Sequence, residues 1–199
     1  YIQSQGFVSK ILPLDVTAIK ETSKIVSENG PFDILLNSAG QARHSAALNT
    51  TPDDFDAVMN VNTRGAYFLT QTIARNLIEH KKSGSLINIS SQMAHVGGRE
   101  RAVYCASKAA VEGFTKAMSI ELGKYKIRIN TICPTFILTP LTKTTFDNPK
   151  NKEWILEKIK LGRVGRVEDV MGAAVYLASN ASSLVTGTSI MVDGGWTAD

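Results

Sequence analysis

Short apolar runs alternate with longer amphipathic segments along the chain. The runs at 8–14, 34–37, 85–90, 127–133 and 189–192 are rich in β-branched residues and read as strands. Between them, the spacing of apolar positions predicts helices near 18–29, 52–81, 102–125 and 167–179. Strands separated by helix-length segments imply βαβ crossovers, hence an α/β fold whose doubly wound parallel sheet carries helices on both faces. Ile34-Leu35-Leu36 is apolar without alternation, the pattern of a strand buried on both faces.

Local punctuation agrees with these boundaries. Thr51-Pro52-Asp53-Asp54 offers a hydroxyl cap, proline at the first helical position and two acids facing the positive end of the helix dipole. The long helix it opens is interrupted by Asn60, Asn62 and Gly65, where a kink or a functional site is expected. No repeat, low-complexity stretch or Gly/Pro/Ser-rich linker divides the chain, so residues 1–199 read as a single domain.

Composition narrows the class. Of 199 residues 43% are apolar and 20% charged, which excludes a disordered tail, and no apolar run is long enough to span a bilayer. The surplus of 22 basic over 18 acidic residues is dispersed rather than gathered on one face. We therefore expect neither a nucleic-acid nor a membrane partner. Cys105 and Cys133 are too few for a disulfide framework or a four-cysteine zinc site, and they read as reduced thiols of a cytoplasmic protein. No third ligand stands at useful spacing from His44 or His95, so no metal site is expected.

In parallel α/β sheets ligands sit beyond the carboxyl ends of strands, at the switch point of strand order. The residues there are Asp15, Asn37-Ser38-Ala39-Gly40, Ser90-Ser91 and Pro134-Thr135, all polar, small or backbone-shaping. The sharpest constellation is Ser91, thirteen residues before Tyr104, with Lys108 four further on. On a helix, Tyr104 and Lys108 share a face one turn apart. A neighbouring ammonium favours the phenolate, lowering the tyrosine pKa towards general acid/base work, while Ser91 can donate to a carbonyl oxygen. Asn62 could anchor a water that links Lys108 to solvent. On spacing alone, the tyrosine–lysine pair equally fits an ordinary solvated or packed helix face.

The order of motifs along the chain resembles that of the short-chain dehydrogenase/reductase family. Asp15-Val16-Thr17 looks like its acidic motif near the adenine. Asn37-Ser38-Ala39-Gly40 resembles its Asn-Asn-Ala-Gly turn, with serine in place of the second asparagine. Val61-Asn62, Ile89-Ser90-Ser91 and Tyr104-Cys105-Ala106-Ser107-Lys108 match its catalytic motifs, and Val192-Asp193-Gly194-Gly195 its closing segment. The resemblance implies a Rossmann-like fold and NAD- or NADP-dependent interconversion of a secondary alcohol and a carbonyl. The catalytic set would be Asn62, Ser91, Tyr104 and Lys108, with Tyr104 as proton donor and acceptor. It further implies cofactor contacts from Asp15, Val16, Asn37, Ser38, Ala39, Gly40, Tyr104, Lys108, Pro134, Thr135, Ile137 and Thr139. A homotetramer is expected, with Ala109, Ala110 and Gly113 permitting close helix approach and 192–196 forming another interface.

Two departures stand out. Thr135 replaces the family's usual glycine after proline, so an ordinary φ is expected there. The family's opening strand and glycine-rich turn do not precede Val8, so the domain is expected to be incomplete at its N-terminus. Arg43, His44, Gln92, His95, Phe136 and Leu141, together with 99–101 and 142–154, fall where the family binds substrate, although either histidine could be an ordinary loop residue. Their polarity favours a small sugar-acid or polyol type substrate. A 3-oxoacyl thioester reductase shares the same motifs, and a nonenzymatic cofactor-binding or regulatory member is the alternative from another class.

Overall fold

The structure is a computed structural model that describes residues 3–139 and 142–198. Four strands form one parallel sheet in the order β1 (Ile34–Asn37), β2 (Gly84–Ile89), β3 (Ile127–Pro134), β4 (Ser189–Val192). Register runs Leu35 opposite Leu86, Leu86 opposite Ile129 and Ile132 opposite Ile190. No reversal of strand order occurs among the described strands; the cavity described below nevertheless opens beyond the carboxyl ends of β1, β2 and β3.

The helices are α1 (Ile19–Asn29), α2 (Pro52–Met59), α3 (Ala66–Glu79), α4 (Ala102–Leu122), α5 (Lys143–Phe146), α6 (Pro149–Lys158) and α7 (Val167–Ala178). One core packs Leu86, Ile127 and Ile129 of the sheet against Val26 of α1 and Leu69, Ile73 and Leu77 of α3. On the opposite face Ile87 and Ile132 pack against Leu177 of α7. A third cluster joins Met93, Ile155 and Ile159 to a set of aromatic rings, with Trp154 and Trp196 edge to face at 5.2 Å and Phe136 5.6 Å from Trp196. Trp196 is thus buried in its own chain. Asp193 accepts from Gly195 N, Thr197 N and Thr197 Oγ1, which holds the turn carrying it.

The long second helix is broken where its sequence is polar. Asn60–Gly65 is a π-helical segment between α2 and α3. A side chain on Gly65 would stand 2.9 Å from Val16 Cγ2, so glycine here permits the close approach of the Asp15-Val16 segment. As expected, Thr51 caps α2, its hydroxyl accepting from Asp54 N at 3.1 Å.

Two strand expectations are corrected. Residues 8–14 form no strand, and Val8 and Ile11 lie almost fully exposed, because no described strand lies alongside to take their hydrogen bonds. Among the described strands β1 lies at the edge of the sheet and is not buried on both faces. Ile34 and Leu36 are about half exposed, because α7 covers only the β2, β3 and β4 part of that face. No helix of the described residues is long and apolar enough to cross a membrane.

Candidate active site

β1, β2 and β3 each end in a turn that delivers one wall of the site. After β1, Asn37 turns inward and is buried. Its Nδ2 donates to Asn88 Oδ1 at 3.0 Å, and its Oδ1 accepts from Ala39 N at 3.2 Å. After β2, Ser91 caps a short 3₁₀ turn (Gln92–Ala94), its Oγ accepting from Met93 N at 3.1 Å. After β3, Pro134 and Thr135 lead to Ile137, whose bridge with Gly165 ties this segment to the approach to α7. Thr135 has an ordinary φ, as expected of a β-branched residue.

These turns and the first turns of α4 enclose a cavity of about 410 Å³. Ser91, Tyr104 and Lys108 all line it. Lys108 Nζ lies 5.8 Å from the centre of the Tyr104 ring and donates to the Ile89 carbonyl at 2.9 Å. Burial pushes the lysine down to about 8, against the opposing pull of Cys133 and Glu112. Burial raises the Tyr104 phenol above its ordinary value, and the hydrogen bond with Ser91 works against that rise. This corrects the expectation of a lowered tyrosine pKa: Lys108, still a cation at neutral pH, does not outweigh the loss of solvent around the phenol.

Asn62 is buried between the turn beyond β1 and α4. Its Oδ1 accepts from Gln41 N at 2.7 Å, and its Nδ2 donates to Gln41 O at 2.8 Å and to Ser107 Oγ at 3.0 Å. The π-helical segment thus clamps the backbone beyond β1 onto α4. Gly40 lies in that clamped stretch, and a Cβ on it would sit 3.7 Å from both Lys108 Nζ and Asn62 Oδ1, filling the space above the lysine.

Of the predicted cofactor residues, Ser38, Gly40, Tyr104, Lys108, Pro134, Thr135, Ile137 and Thr139 line the cavity. Asp15, Val16, Asn37 and Ala39 do not: Asp15 is exposed and accepts from Thr17 N and Oγ1, which hold its carboxyl below the usual range, and Val16 is core. Of the predicted substrate residues, His44, Gln92 and Phe136 line the cavity. Arg43 instead pairs with Asp54 at 3.0 Å, and Leu141 lies outside the described residues.

His95 turns away to Cys133, with Nε2 3.6 Å from Sγ. Sequence reasoning missed the third member of this cluster. Glu112 follows Lys108 by four residues on α4, and the packing of α4 on β3 buries its carboxylate beside Cys133. Thr131 Oγ1 donates to it at 3.0 Å and Cys133 Sγ at 3.3 Å, and Ser189 Oγ also donates. Side-chain donor atoms of His95, Glu112 and Cys133 lie within 4.8 Å of one another, a grouping that sequence spacing gave no reason to expect. Three donors on the carboxylate hold it in a hydrogen-bonded cluster between α4, β3 and β4.

The residues fit the nicotinamide end of a dinucleotide. Thr135 Oγ1 is buried with no hydrogen-bond partner, and so are both amide atoms of Gln92, all in residues of the cavity wall. Buried polar atoms left in this state call for a polar ligand. Lys108 has three donors and one acceptor, Ile89 O, among its described contacts.

The family model described as enoyl-(acyl carrier protein) reductase matches residues 2–197. The chain is 35% identical to L-xylulose reductase of Bos taurus over 185 residues, covering 93% of this chain and 76% of that protein. It is 42% identical to 2-dehydro-3-deoxy-D-gluconate 5-dehydrogenase of Dickeya dadantii over 176 residues, covering 88% and 69%. Among solved structures, a gluconate 5-dehydrogenase from Burkholderia cenocepacia J2315 in complex with NADP and tartrate superposes with a TM-score of 0.96 at 33% identity. That match covers 100% of this chain and 79% of the other.

Proposed function

The chain belongs to the short-chain dehydrogenase/reductase family, and from that premise we propose that it interconverts a secondary alcohol and a carbonyl on a small sugar-acid or polyol type substrate, with Tyr104 passing the proton. The observation that carries this reading is the meeting of Ser91, Tyr104 and Lys108 in one cavity whose wall also holds the unpartnered amide of Gln92. The two named relatives act on such substrates, and the tartrate complex of the solved relative involves a small hydroxylated acid.

NAD or NADP, when bound, supplies or accepts the hydride. Ser38, Gly40, Lys108, Thr135, Ile137 and Thr139 are the residues of this chain that would hold its nicotinamide end. Tyr104, with its raised pKa, is a neutral phenol at neutral pH and so enters carbonyl reduction as the acid, donating from Oη to the substrate oxygen. Ser91 Oγ gives that oxygen a second donor, and the two hydroxyls together fix where it sits. In alcohol oxidation the phenol must first lose its proton, which a charged Lys108 favours. Asn62 acts through the Gln41 backbone, keeping the strand-end turn against α4.

The same reading extends to assembly and compartment. Phe55 of α2 and Ile120 of α4 are exposed apolar residues, and Ala109 and Gly113 leave an exposed stretch of α4 with little relief. This supports a homotetramer formed through these helices, and light scattering of the purified protein would show four chains per particle. Two free thiols support a cytoplasmic location.

The test is turnover by the full-length protein, followed through the absorbance of reduced nicotinamide. NADH and NADPH are each offered with keto-sugar acids, ketoses and a 3-oxoacyl thioester. Turnover of the first two classes is expected. Turnover of the thioester alone would replace this reading with that of an acyl thioester reductase.

A further inference from the structure

Beside the catalytic cavity lies a second one, of about 550 Å³, which shares His44, Arg101 and Thr145 with it. Its lining carries three basic side chains, Arg99, Arg101 and Lys150, against the single carboxylate of Glu100. Arg101 stands where the two cavities meet and is half-buried. Its Cζ lies 5.6 Å from the centre of the Phe136 ring, and its Nη1 donates to Arg99 O at 2.9 Å. Among the described residues it has no carboxylate within ion-pair distance.

The turn that presents this guanidinium is built rather than loose. Glu100 takes φ 58°, a left-handed conformation uncommon for a side-chain-bearing residue, and Ser45 N donates to its carbonyl at 3.1 Å. Burial of a guanidinium without a counter-ion is unfavourable, and a planar donor fork resting on an aromatic ring matches the two oxygens of a carboxylate. Nearer the catalytic hydroxyls, Gln92 is 1% exposed with neither amide atom partnered, a reader for substrate hydroxyl groups. His44 stands edge-on to Tyr104 at 6.1 Å. Burial and then Arg101 hold its pKa below the ordinary value, so it offers a neutral hydrogen bond rather than a charge.

We propose that Arg101 binds a carboxylate of the substrate, so that the chain acts on polyhydroxylated keto or hydroxy acids in preference to neutral sugars. This rests on the alcohol–carbonyl reading above and chooses between the two substrate classes it leaves open. The reacting carbon sits at Tyr104 and Ser91, the intervening hydroxyls face Gln92, and the acid end reaches the cationic cavity. An acyl chain would meet charge where it needs apolar walls.

The experiment compares 5-keto-D-gluconate with its neutral amide as substrates. In parallel, quenching of tryptophan fluorescence by gluconate and by gluconamide reads binding without turnover, because Trp154 lines the second cavity. We expect the acid to exceed the amide in kcat/KM by about 100-fold, mainly through KM, as loss of a charge-assisted contact would give. Arg101→Met should collapse that ratio towards one, and Arg101→Lys should restore part of it. Equal use of acid and amide by the wild type, or a ratio that survives Arg101→Met, would overturn the proposal. Gluconate binding that depends on Arg101 without turnover of any carbonyl would uphold the subsite and overturn the catalytic reading instead.

Discussion

Replacing Glu112 with glutamine keeps its shape while removing the anion beneath Lys108. Burial lowers the lysine to about 8, and Cys133 and Glu112 oppose that fall. Residues four apart on a helix have Cβ atoms about 6 Å apart. With charges roughly 6–8 Å apart and an effective dielectric of about 20, their attraction is about 2–3 kcal/mol. At 1.36 kcal/mol per pH unit, loss of the carboxylate lowers the lysine by about one to two units.

The sign follows directly. Lys108 is needed as a cation to hold the tyrosine's charge in balance, so carbonyl reduction declines as pH rises through its pKa. The wild type should show an alkaline limb near 8 in kcat/KM. Glu112→Gln moves that limb to lower pH. For a fall to about 6.5 the charged fraction at neutral pH drops roughly fourfold, and activity with it. The assay is a pH series of initial rates with saturating cofactor, after circular dichroism shows that the variant is folded. A limb that stays in place or moves upward would refute the coupling of Glu112 to Lys108. A uniform loss of rate at every pH would assign Glu112 to packing alone.

Three further outcomes follow from the same geometry. Gly65→Ala sets a methyl 2.9 Å from Val16 Cγ2 and should cost about 1–3 kcal/mol in urea denaturation; an unchanged midpoint would mean that the Asp15-Val16 segment yields freely. Cys133, pushed up to about 12 by burial and then by Glu112, should resist maleimide at about pH 8 until the protein is denatured. Rapid native labelling at that position would contradict its placement. Arg101→Met should erase the preference for an acid over its amide, as argued above.

All four strands of the sheet were legible in the sequence, and 34–37 and 189–192 coincide with β1 and β4 although each lies at an edge. Residues 85–90 and 127–133 are central and lie within one residue of β2 and β3 at each end. Residues 8–14 carry the same apolar signal, yet a strand is defined by its partners, and periodicity cannot tell whether one is there. Asn60, Asn62 and Gly65 were readable as an interruption because polar residues and glycine oppose a regular helix. That Asn62 grips Gln41, 21 residues earlier, is a tertiary fact with no local signature.

At the site, Ser91, Tyr104 and Lys108 were found by motif order, and the fold brings them together. Glu112 was missed although it extends the same spacing by another turn: Tyr104, Lys108 and Glu112 rise along one face of α4. An acid one further i+4 step along the face of Tyr104 and Lys108 was the available signal. The tyrosine pKa was read in the wrong direction because sequence spacing counts neighbouring charges but not lost solvent.

The most direct test of Tyr104 as the proton-passing group is carbonyl reduction by Tyr104→Phe, with cofactor binding followed separately by tryptophan fluorescence. Removing one hydroxyl oxygen from the cavity should lower kcat by at least about 100-fold while the dinucleotide still binds. Turnover close to the wild-type rate would contradict the assignment.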